Sequence, residues 1–336
     1  MIRVALDAMG GDHAPEAEVA GALAALAEFP GDFIIQLVGR TEAIEAELAR
    51  HPGVDRRRLA IIEAPDVVGM GEKPLSAVRK KPNSSLVVGL ALQKAGGSDA
   101  FISAGNTGAT LAAGTIVLGL HEGVARATVA TPFPTADEPV IVLDGGANVD
   151  CTPRELVNFA WLGAIYVRDV LGRESPTVGL LNVGEEEEKG TAVVKEAHAL
   201  LKQQVGLHYC GNIEGRDILA GHPRHGRIDV VICDGFVGNI VLKFYESVSR
   251  LIVKLASRTA PALLTSADMK EIFRVLDYSE YGGAPLLGVK GVCLICHGSA
   301  SPKSIKNAIR GAVHAAEVGL SRHIGEQMAT LAGTPA

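Results

Sequence analysis

Short, unbroken apolar runs alternate with longer stretches of mixed apolar and polar residues along most of the chain. Runs of this kind are typical of strands that are buried on both faces of a parallel sheet. The predicted strands are Ile2–Ala8, Phe33–Val38, Leu59–Ile62, Asp99–Ser103, Val140–Leu143, Thr177–Asn182, Asp229–Cys233 and Val292–His297. The predicted helices are Pro15–Phe29, Glu42–Arg50, Ser84–Lys94, Thr107–Leu118, Pro153–Leu171, Gly190–Gln203, Asn239–Ser257 and Ser301–Val318. This alternation predicts the α/β class, as an α/β/α sandwich with a mostly parallel, doubly wound sheet.

The sequence contains neither an internal repeat nor a Pro/Ser-rich linker, so a single α/β/α catalytic domain over residues 1–336 is the predicted organisation. Within the helix that begins at Asn239, Val241, Tyr245 and Val248 share one face, which is typical of core or dimer packing. Beyond it, the stretch of about residues 250–275 is basic and apolar with a break at Pro261. This stretch predicts a helical hairpin that packs in a dimer or rests on a membrane surface.

Composition and charge exclude several classes of protein. Hydrophobic residues make up 47% of the chain and charged residues 21%, which is typical of folded globular proteins rather than disordered ones. The formal net charge of −6 argues against a general nucleic-acid binder. The first residues have the pattern of a strand rather than a signal peptide, and the longest nearly apolar stretch, residues 109–120, is too short to span a bilayer. A cytoplasmic protein is therefore expected.

One cysteine pattern is open to two interpretations. Cys293 and Cys296, followed by His297, match the C-x-x-C-H spacing of covalent haem attachment. They lie in an apolar run between Gly291 and Gly298, which predicts a buried strand. Because side chains alternate along a strand, the two sulfurs point to opposite faces, which suits neither haem nor zinc. We therefore expect reduced thiols here.

Glycines and polar residues collect directly after the predicted strands. Because ligands bind beyond the carboxyl ends of the strands in open α/β sheets, these loops predict one binding rim. None has the spacing of a P-loop, a dinucleotide fingerprint, a serine-hydrolase elbow or a zincin helix. Helix N-termini with exposed N–H groups favour a small anion instead. The loops are residues 7–13, 103–109, 144–148, 182–190, 211–217, 234–239 and 297–301.

The same loops carry a family resemblance. Segments Asp7–His13, Ser103–Ala109 and Leu143–Asn148 resemble motifs of the PlsX phosphate acyltransferase family. Four further segments resemble motifs of the same family: Leu180–Gly190, Gly211–Asp217, Asp234–Lys243 and Tyr281–Gly288. All seven segments occur in the family's order, so the resemblance extends from residue 7 to about residue 300. Asn83 departs from the pattern, because family members usually carry Asp there. Since Asn and Asp are near-equal helix N-caps, this is interpreted as a local capping change.

The resemblance implies an acyltransferase that moves a long-chain fatty acyl group from acyl carrier protein to inorganic phosphate, reversibly giving acyl-phosphate for phospholipid synthesis. It implies a fold similar to that of phosphotransacetylases and isocitrate-type dehydrogenases, a homodimer, and transfer of the product to a membrane glycerol-phosphate acyltransferase, with peripheral membrane contact. It implies no cofactor, metal or nucleic acid. The carrier is acidic and needs a local basic patch, for which Arg79, Lys80 and Lys81 are candidates unless they form a solvated face.

In this chemistry phosphate is its own nucleophile and a thiolate leaves, so the site mainly positions the anion and stabilises the tetrahedral oxyanion. For each candidate Asn the alternative role is a helix N-cap. The alternative role for Lys243 is that of a solvated lysine on the helix surface. His13 either caps its helix or carries a proton. The candidate catalytic residues are Lys243, Asn239, Lys189 and His13. The candidate substrate- and phosphate-binding residues are Gly10, Gly11, Asp12, Ser103, Asn106, Thr107, Asn148, Asn212, Gly238 through its backbone, His297 and Ser299.

Acidic residues in the same loops have other expected roles. Asp7, Asp144 and Asp234 end strands and are expected to orient loops or pair with lysines rather than act as bases or hold a divalent metal. The run Glu185–Glu188 is expected to be a solvated loop in which one carboxylate pairs with Lys189. Two other functions stay open: a nicotinamide-dependent oxidative decarboxylase, which needs an arginine-rich carboxylate site and a divalent metal, and a non-catalytic anion-binding module.

Overall fold

A computed structural model describes residues 1–135, 137–221, 224–259, 266, 269, 272 and 280–333. The chain divides into two compact units. The first consists of residues 1–127 together with the chain from Tyr281 onward, and the second consists of Thr128–Glu280. The prediction of one continuous domain over residues 1–336 stays a prediction, and each unit is described separately below.

The predicted strands are all present, with ends shifted by a few residues, and shorter strands occur between them. In the described part of the chain the strands are β1 Ile2–Asp7, β2 Phe33–Gly39, β3 Leu59–Glu63, β4 Ala100–Ser103, β5 Thr128–Val129, β6 Thr131–Phe133, β7 Val140–Leu143, β8 Val178–Leu181, β9 Tyr209–Ile213, β10 Val230–Ile232, β11 Ala284–Leu287 and β12 Val292–Ile295.

The predicted helices are present as well, and Thr107–Leu118 is split between an α-helix and a π-helical turn at Gly114–Leu118. The α-helices of the described residues are α1 Glu16–Glu28, α2 Thr41–Leu48, α3 Pro74–Lys80, α4 Ser85–Lys94, α5 Thr107–Ala113, α6 Pro153–Leu171, α7 Ala192–Leu201, α8 Asp217–Ala220, α9 Gly235–Thr259, α10 Pro302–Glu317 and α11 Leu320–Ala332.

The strands form two sheets, both mostly parallel. The sheet of the first unit has the order β3-β2-β1-β4-β12-β11. Strands β1, β2, β3, β4 and β12 run parallel to one another, whereas β11 runs antiparallel to β12. The sheet of the second unit has the order β6-β7-β10-β8-β9, in which only the edge strand β6 is antiparallel. The predicted parallel α/β class is therefore confirmed.

Helix starts follow from local capping chemistry. Helix α6 begins with a capping box, in which the Thr152 hydroxyl accepts from the Glu155 N–H at 3.3 Å and the Glu155 carboxylate accepts from the Thr152 N–H at 2.7 Å. Helix α10 begins with Ser301, whose hydroxyl accepts from the Ser304 N–H at 3.2 Å, and has Pro302 in its first turn. These capping contacts fix where helices α6 and α10 begin in the segments that follow strands β7 and β12.

Two sequence expectations about local structure are corrected. Gly211 and Asn212 were expected in a loop but lie in strand β9. Helix α9 begins at Gly235 rather than Asn239, so Gly238 and Asn239 are helical.

Two further expectations concern the cysteines and the hairpin. Cys293 lies in buried strand β12 and Cys296 directly follows it, and burial raises the pKa of both thiols to about 12. The hairpin predicted at about residues 250–275 falls largely outside the described residues beyond Thr259. In the described part of the chain, no helix is both long and apolar enough to cross a membrane.

Candidate active site

In the first unit, the loops after β1 and β4 are joined through a buried carboxylate. Asp7, the last residue of β1, accepts from the Ser103 hydroxyl at 2.7 Å and from the Met9 N–H at 3.1 Å. The Ser103 hydroxyl oxygen in turn accepts from the Gly105 N–H at 3.0 Å. Burial raises the pKa of Asp7, although hydrogen bonds from Ser85 and Ser103 oppose this shift. Asp7 therefore orients two loops, as the sequence indicates, and Ser103 supports a loop instead of pointing to solvent.

Glycines allow these loops to approach each other more closely than side chains permit. A Cβ on Gly10 would lie 2.5 Å from Asp7 Oδ2 and 2.9 Å from the Gly105 nitrogen. Gly11 has φ +122°, a conformation that L side chains rarely adopt. The Asp12 N–H donates to the Gly298 carbonyl oxygen at 2.7 Å, which brings in the loop after β12. The loops after β1, β4 and β12 thus form one cluster of closely packed backbone.

The start of helix α5 belongs to this cluster. The Asn106 side chain caps the helix, accepting from the Ala109 N–H at 3.0 Å, and its amide donates to the carbonyl oxygens of Met70 at 2.8 Å and Glu72 at 3.1 Å. These bonds occupy both ends of the side chain, so the capping role is the one that the geometry shows. Thr107 is exposed in the first turn of α5. Anion binding by Asn106 and Thr107 stays a prediction.

The remaining predicted residues of the first unit lie at its surface. Asp12, His13 and Ser299 are exposed, and so is His297. The His297 Nδ1 atom accepts from the Ser299 N–H at 3.2 Å and lies 2.8 Å from the Ser299 hydroxyl. This fixes the orientation of the ring. The role of His13 as a cap or a proton carrier stays a prediction.

Sequence reasoning missed one titratable residue in this cluster. Glu18 of helix α1 is only 1% exposed, and its Oε2 atom has no hydrogen-bond partner among the described residues. It lies beneath Gly11, whose Cβ would be 2.8 Å from Glu18 Oε1. Burial, together with the negative charge of Asp7, raises the pKa of Glu18 to about 8. The position of Glu18 in an otherwise apolar helical pattern is the only signal that the sequence offers.

In the second unit, Asp144 organises the loop after β7. Its Oδ1 accepts from the N–H groups of Gly146 at 3.1 Å and Ala147 at 3.0 Å, and its Oδ2 accepts from the Asn148 N–H at 2.7 Å and the Asn148 side-chain amide at 2.6 Å. Burial raises the pKa of Asp144, and these donors oppose the shift. Asp144 therefore orients its loop, as expected, and the Asn148 amide is engaged within that loop.

Helix α9 starts against this loop. Asp234 caps it, accepting from the Val237 N–H at 2.8 Å. A Cβ on Gly238 would lie 1.9 Å from the Asp144 carbonyl oxygen, so only glycine fits there. The Gly238 N–H donates to the Asp234 carbonyl oxygen at 2.9 Å, which corrects the expectation that it is free to bind an anion. Gly238 instead contributes by letting α9 approach the loop that contains Gly146.

Asn239 and Lys243 follow one helical turn apart, and both are exposed. The Lys243 ammonium lies 3.0 Å from Glu246 Oε2, and Arg250 Nη2 lies 3.2 Å from the same oxygen. Glu246 is buried, so it holds both cations along one face of α9. Lys243 is therefore neither a free solvated lysine nor a free cation.

The glutamate-rich loop after β8 carries the second predicted lysine. Lys189 is exposed, and no hydrogen bond or ion pair of its side chain occurs among the described residues. Glu185 pairs with Arg224 instead, and Glu187 pairs with Lys202. The expected pairing of Lys189 with this glutamate run is therefore not found in the described part of the chain.

An open cavity of about 500 Å³ lies beside the same loop, lined by Glu185, Glu186, Glu187, Glu214 and Arg224. The Asn212 amide donates to the Glu186 carbonyl oxygen at 3.2 Å, and its Oδ1 atom is buried without a partner in the part of the chain that the structure describes. Lys189 and Asn212 thus belong to one loop cluster of the second unit.

Metal-ligating side chains are not grouped in the described residues: no three His, Cys, Asp or Glu side chains lie together in a metal-binding arrangement. The carboxylates of Asp7, Asp144 and Asp234 accept instead from backbone and side-chain donors of their own loops. Each unit therefore presents glycine-rich helix starts and polar side chains at the carboxyl ends of its own strands. Whether all seven loops form one rim stays a prediction.

Comparison with known proteins identifies the family. Residues 2–323 match the family model described as "Fatty acid synthesis protein". The phosphate acyltransferase of Geobacter sulfurreducens is 45% identical over 98% of this chain and 95% of its own length. That of Heliobacterium modesticaldum is 48% identical over 92% of each chain. The chain belongs to the phosphate acyltransferase (PlsX) family.

The resemblance found in the seven loops is therefore confirmed, and with it the predicted enzyme class, an acyltransferase. The fold agrees with this assignment. A phosphotransacetylase from Streptococcus pyogenes superimposes with a TM-score of 0.63 at 18% identity, covering 94% of both chains. The loops alone left open a nicotinamide-dependent decarboxylase and a non-catalytic anion-binding module. The PlsX relatives compared above are named for neither function.

Proposed function

We propose that this PlsX-family protein transfers a long-chain fatty acyl group from acyl carrier protein to inorganic phosphate, reversibly giving acyl-phosphate. The observation that carries the proposal is the identity of 45–48%, over nearly the whole chain, to proteins named phosphate acyltransferase. The glycine-rich helix starts of both units support it, because they offer N–H groups and positive dipole ends to an anion.

The proposed chemistry needs little from the protein beyond placement and charge. A phosphate oxygen attacks the thioester carbonyl carbon, and the oxyanion that forms collapses with cleavage of the C–S bond. The carrier thiolate leaves and takes up the proton that phosphate carried. A thiol has a pKa of about 8.5, so the leaving group needs no strong acid. Preorganised donors that hold phosphate in line and stabilise the oxyanion then supply most of the catalysis.

Lys189 and Lys243 are the proposed cations of the site. Lys189 has no ion pair among the described residues, so its charge is available to phosphate. Lys243 is held by Glu246 at 3.0 Å, which keeps its ammonium group one turn beyond Asn239. We assign Asn239 as a hydrogen-bond donor to phosphate or to the oxyanion. In the first unit, the Gly11 N–H and the Thr107 hydroxyl are proposed donors to an anion, whereas the Gly10 N–H bonds to the Asp7 carboxylate.

Thiol release from palmitoyl-carrier protein, with and without inorganic phosphate, tests the function. Phosphate-dependent release with formation of acyl-phosphate is expected, without added metal or nicotinamide. Lys189→Ala should lower kcat by about 10²-fold or more, as loss of one transition-state donor does. Lys195→Ala, an exposed lysine on helix α7, is the matched control and should leave the rate unchanged. Release that is independent of phosphate, or equal rates in both variants, would refute the proposal.

We further propose that helix α9 supplies the contact surface of a homodimer and of a membrane. Its inner face packs on the core, where the Tyr245 ring lies 5.6 Å from that of Phe133. Its outer face exposes Phe244 at 67%, Leu251 at 54% and Leu255 at 51%. Exposed apolar residues in such a row are typical of protein or membrane contacts. A membrane glycerol-phosphate acyltransferase is the expected consumer of the product.

Sedimentation of the Phe244→Glu variant tests the dimer, which should dissociate at concentrations where the unchanged protein sediments as a dimer. Vesicle flotation of the Leu263→Glu/Leu264→Glu variant tests membrane contact, with loss of binding and unchanged turnover expected. Leu263 and Leu264 lie outside the described residues. A monomeric unchanged protein would refute the dimer, and unchanged flotation would refute the membrane contact.

A further inference from the structure

A basic segment lies at residues 70–81, which we call the α3 segment because it contains helix α3. It holds four basic residues and one acidic residue, in a chain whose net charge is −6. Lys81 lies 2.5 Å from Glu72, so these two charges neutralise each other. Lys73, Arg79 and Lys80 are exposed, and none has an ion pair among the described residues. The α3 segment therefore presents three uncompensated positive charges.

The α3 segment is fixed to the loop cluster of the first unit. The Asn106 amide, which caps helix α5, donates to the backbone oxygens of Met70 at 2.8 Å and Glu72 at 3.1 Å. Pro74 lies against Gly108, where a Cβ would be 2.7 Å from Pro74 Cγ. A protein bound to this segment is therefore held next to the start of α5.

Apolar side chains accompany the charges. Met70 is 47% exposed, and its terminal methyl group lies against Gly298 of the loop after β12. Leu75, in the first turn of α3, is 55% exposed. A solvated lysine face needs no exposed apolar groups, whereas protein interfaces combine an apolar centre with charges that select the partner.

Other basic clusters of the first unit are already engaged. Arg57 lies 2.7 Å from Asp55, and Arg56 lies 2.8 Å from Glu45. Lys306 of helix α10 lies 2.5 Å from Glu28. The α3 segment thus differs from these clusters in the charge that it leaves available.

We infer that the α3 segment is the docking surface for the acidic carrier protein that delivers the acyl thioester. The inference rests on the proposed function, because it names the partner of that same site. Its positive charges complement an acidic partner, and its exposed Met70 and Leu75 offer apolar contact area. Its attachment through Asn106 keeps a bound carrier next to the loop cluster of the first unit. Lys81, a candidate from the sequence, is excluded because it is paired with Glu72.

Charge reversal tests this surface. The Arg79→Glu/Lys80→Glu variant should bind fluorescently labelled holo-carrier protein about 10-fold more weakly, because two steering charges are inverted. Its KM for palmitoyl-carrier protein should rise to a similar extent, with kcat within about twofold. Lys94→Glu is the matched control. Lys94 is exposed at the end of α4, shortly before β4 begins, and so lies at the edge of the sheet away from the loops. Thermal melts of both variants check that they are folded.

The outcomes separate docking from function. Equal carrier binding by the double variant and the unchanged protein, or no carrier binding by the unchanged protein, would overturn the docking surface. Carrier binding that the double variant weakens, without any phosphate-dependent thiol release by the unchanged protein, would keep the docking surface and overturn the proposed function. If the double variant lost binding to phosphatidylglycerol vesicles and kept carrier binding, the segment would face lipid, and the inference would be wrong.

Discussion

The buried carboxyl group of Glu18 makes the free energy of unfolding depend on pH, and the substitution Glu18→Gln should remove this contribution. Glu18 is 1% exposed and lies near Asp7, and its pKa is raised to about 8 from an ordinary value of 4.5. In the folded protein the group keeps its proton up to about pH 8, whereas in the unfolded chain it loses the proton near pH 4.5. The folded state therefore binds the extra proton between these values, and stability falls as pH rises through that range.

The magnitude follows from the same two values. Each pH unit between them costs about 1.4 kcal/mol, so the full cost approaches roughly 5 kcal/mol above pH 8. Glu18→Gln keeps the shape of the side chain and removes the titration. Relative to the unchanged protein, we expect the variant to gain about 3 kcal/mol in free energy of unfolding between about pH 5.5 and about pH 8.5.

Urea unfolding at several pH values measures this gain directly. Glu16→Gln, an exposed acid on the same helix, is the control and should follow the unchanged protein at every pH. Asp7, whose pKa is also raised, is present in all three proteins, so the comparison isolates Glu18 together with its coupling to Asp7. If Glu18→Gln and the unchanged protein lose stability in parallel between these pH values, the reasoning about Glu18 is refuted.

Two further changes test the packing of the second unit. Gly238→Ala should destabilise the protein by about 1–3 kcal/mol, because the new methyl group would lie 1.9 Å from a backbone oxygen. Thermal melts measure this loss. The control is Gly215→Ala, where the new methyl group meets open space, and it should change the stability little. Arg173→Leu should cost about 1–3 kcal/mol in urea unfolding, because it removes a cation 2.8 Å from buried Asp229, which keeps Arg227 at 3.0 Å. Lys202→Leu breaks an exposed pair with Glu187 and should cost less than about 1 kcal/mol. Equal effects within either pair of variants would contradict the packing argument.

The sequence predicts long regular elements better than short ones. Helix α6 has the predicted bounds Pro153–Leu171, and in the structure it combines a capping box, a first-turn proline and a long amphipathic pattern. Strand β9 was missed because Gly211 and Asn212 are typical of turns, yet its neighbour β8 supplies the hydrogen bonds that hold it in the sheet. Strand β11 was missed because it follows two glycines and contains a proline.

The sequence predicted which loops carry the candidate site residues, but only some of the contacts that these side chains make. Loop positions follow from strand ends, so the aspartates at those ends could be assigned an orienting role. Which donor each side chain meets depends on packing between segments far apart in the chain. The capping role of Asn106, the Glu246 pairing of Lys243 and the burial of Glu18 could therefore not be chosen from the sequence. The division of the strands between two sheets depends on the same long-range packing.

The position of β12 next to β4 has a consequence for synthesis. Ile295 pairs with Ser103, and the whole of the second unit is translated between these two strands. At about 5–20 residues per second, a ribosome needs on the order of 10–40 s to cover that distance. During this time β4 has an open edge that can pair with another chain. The second unit is continuous in the chain and needs no later residues to complete its five-stranded sheet. The nascent protein is thus most vulnerable to aggregation while its second unit is being made.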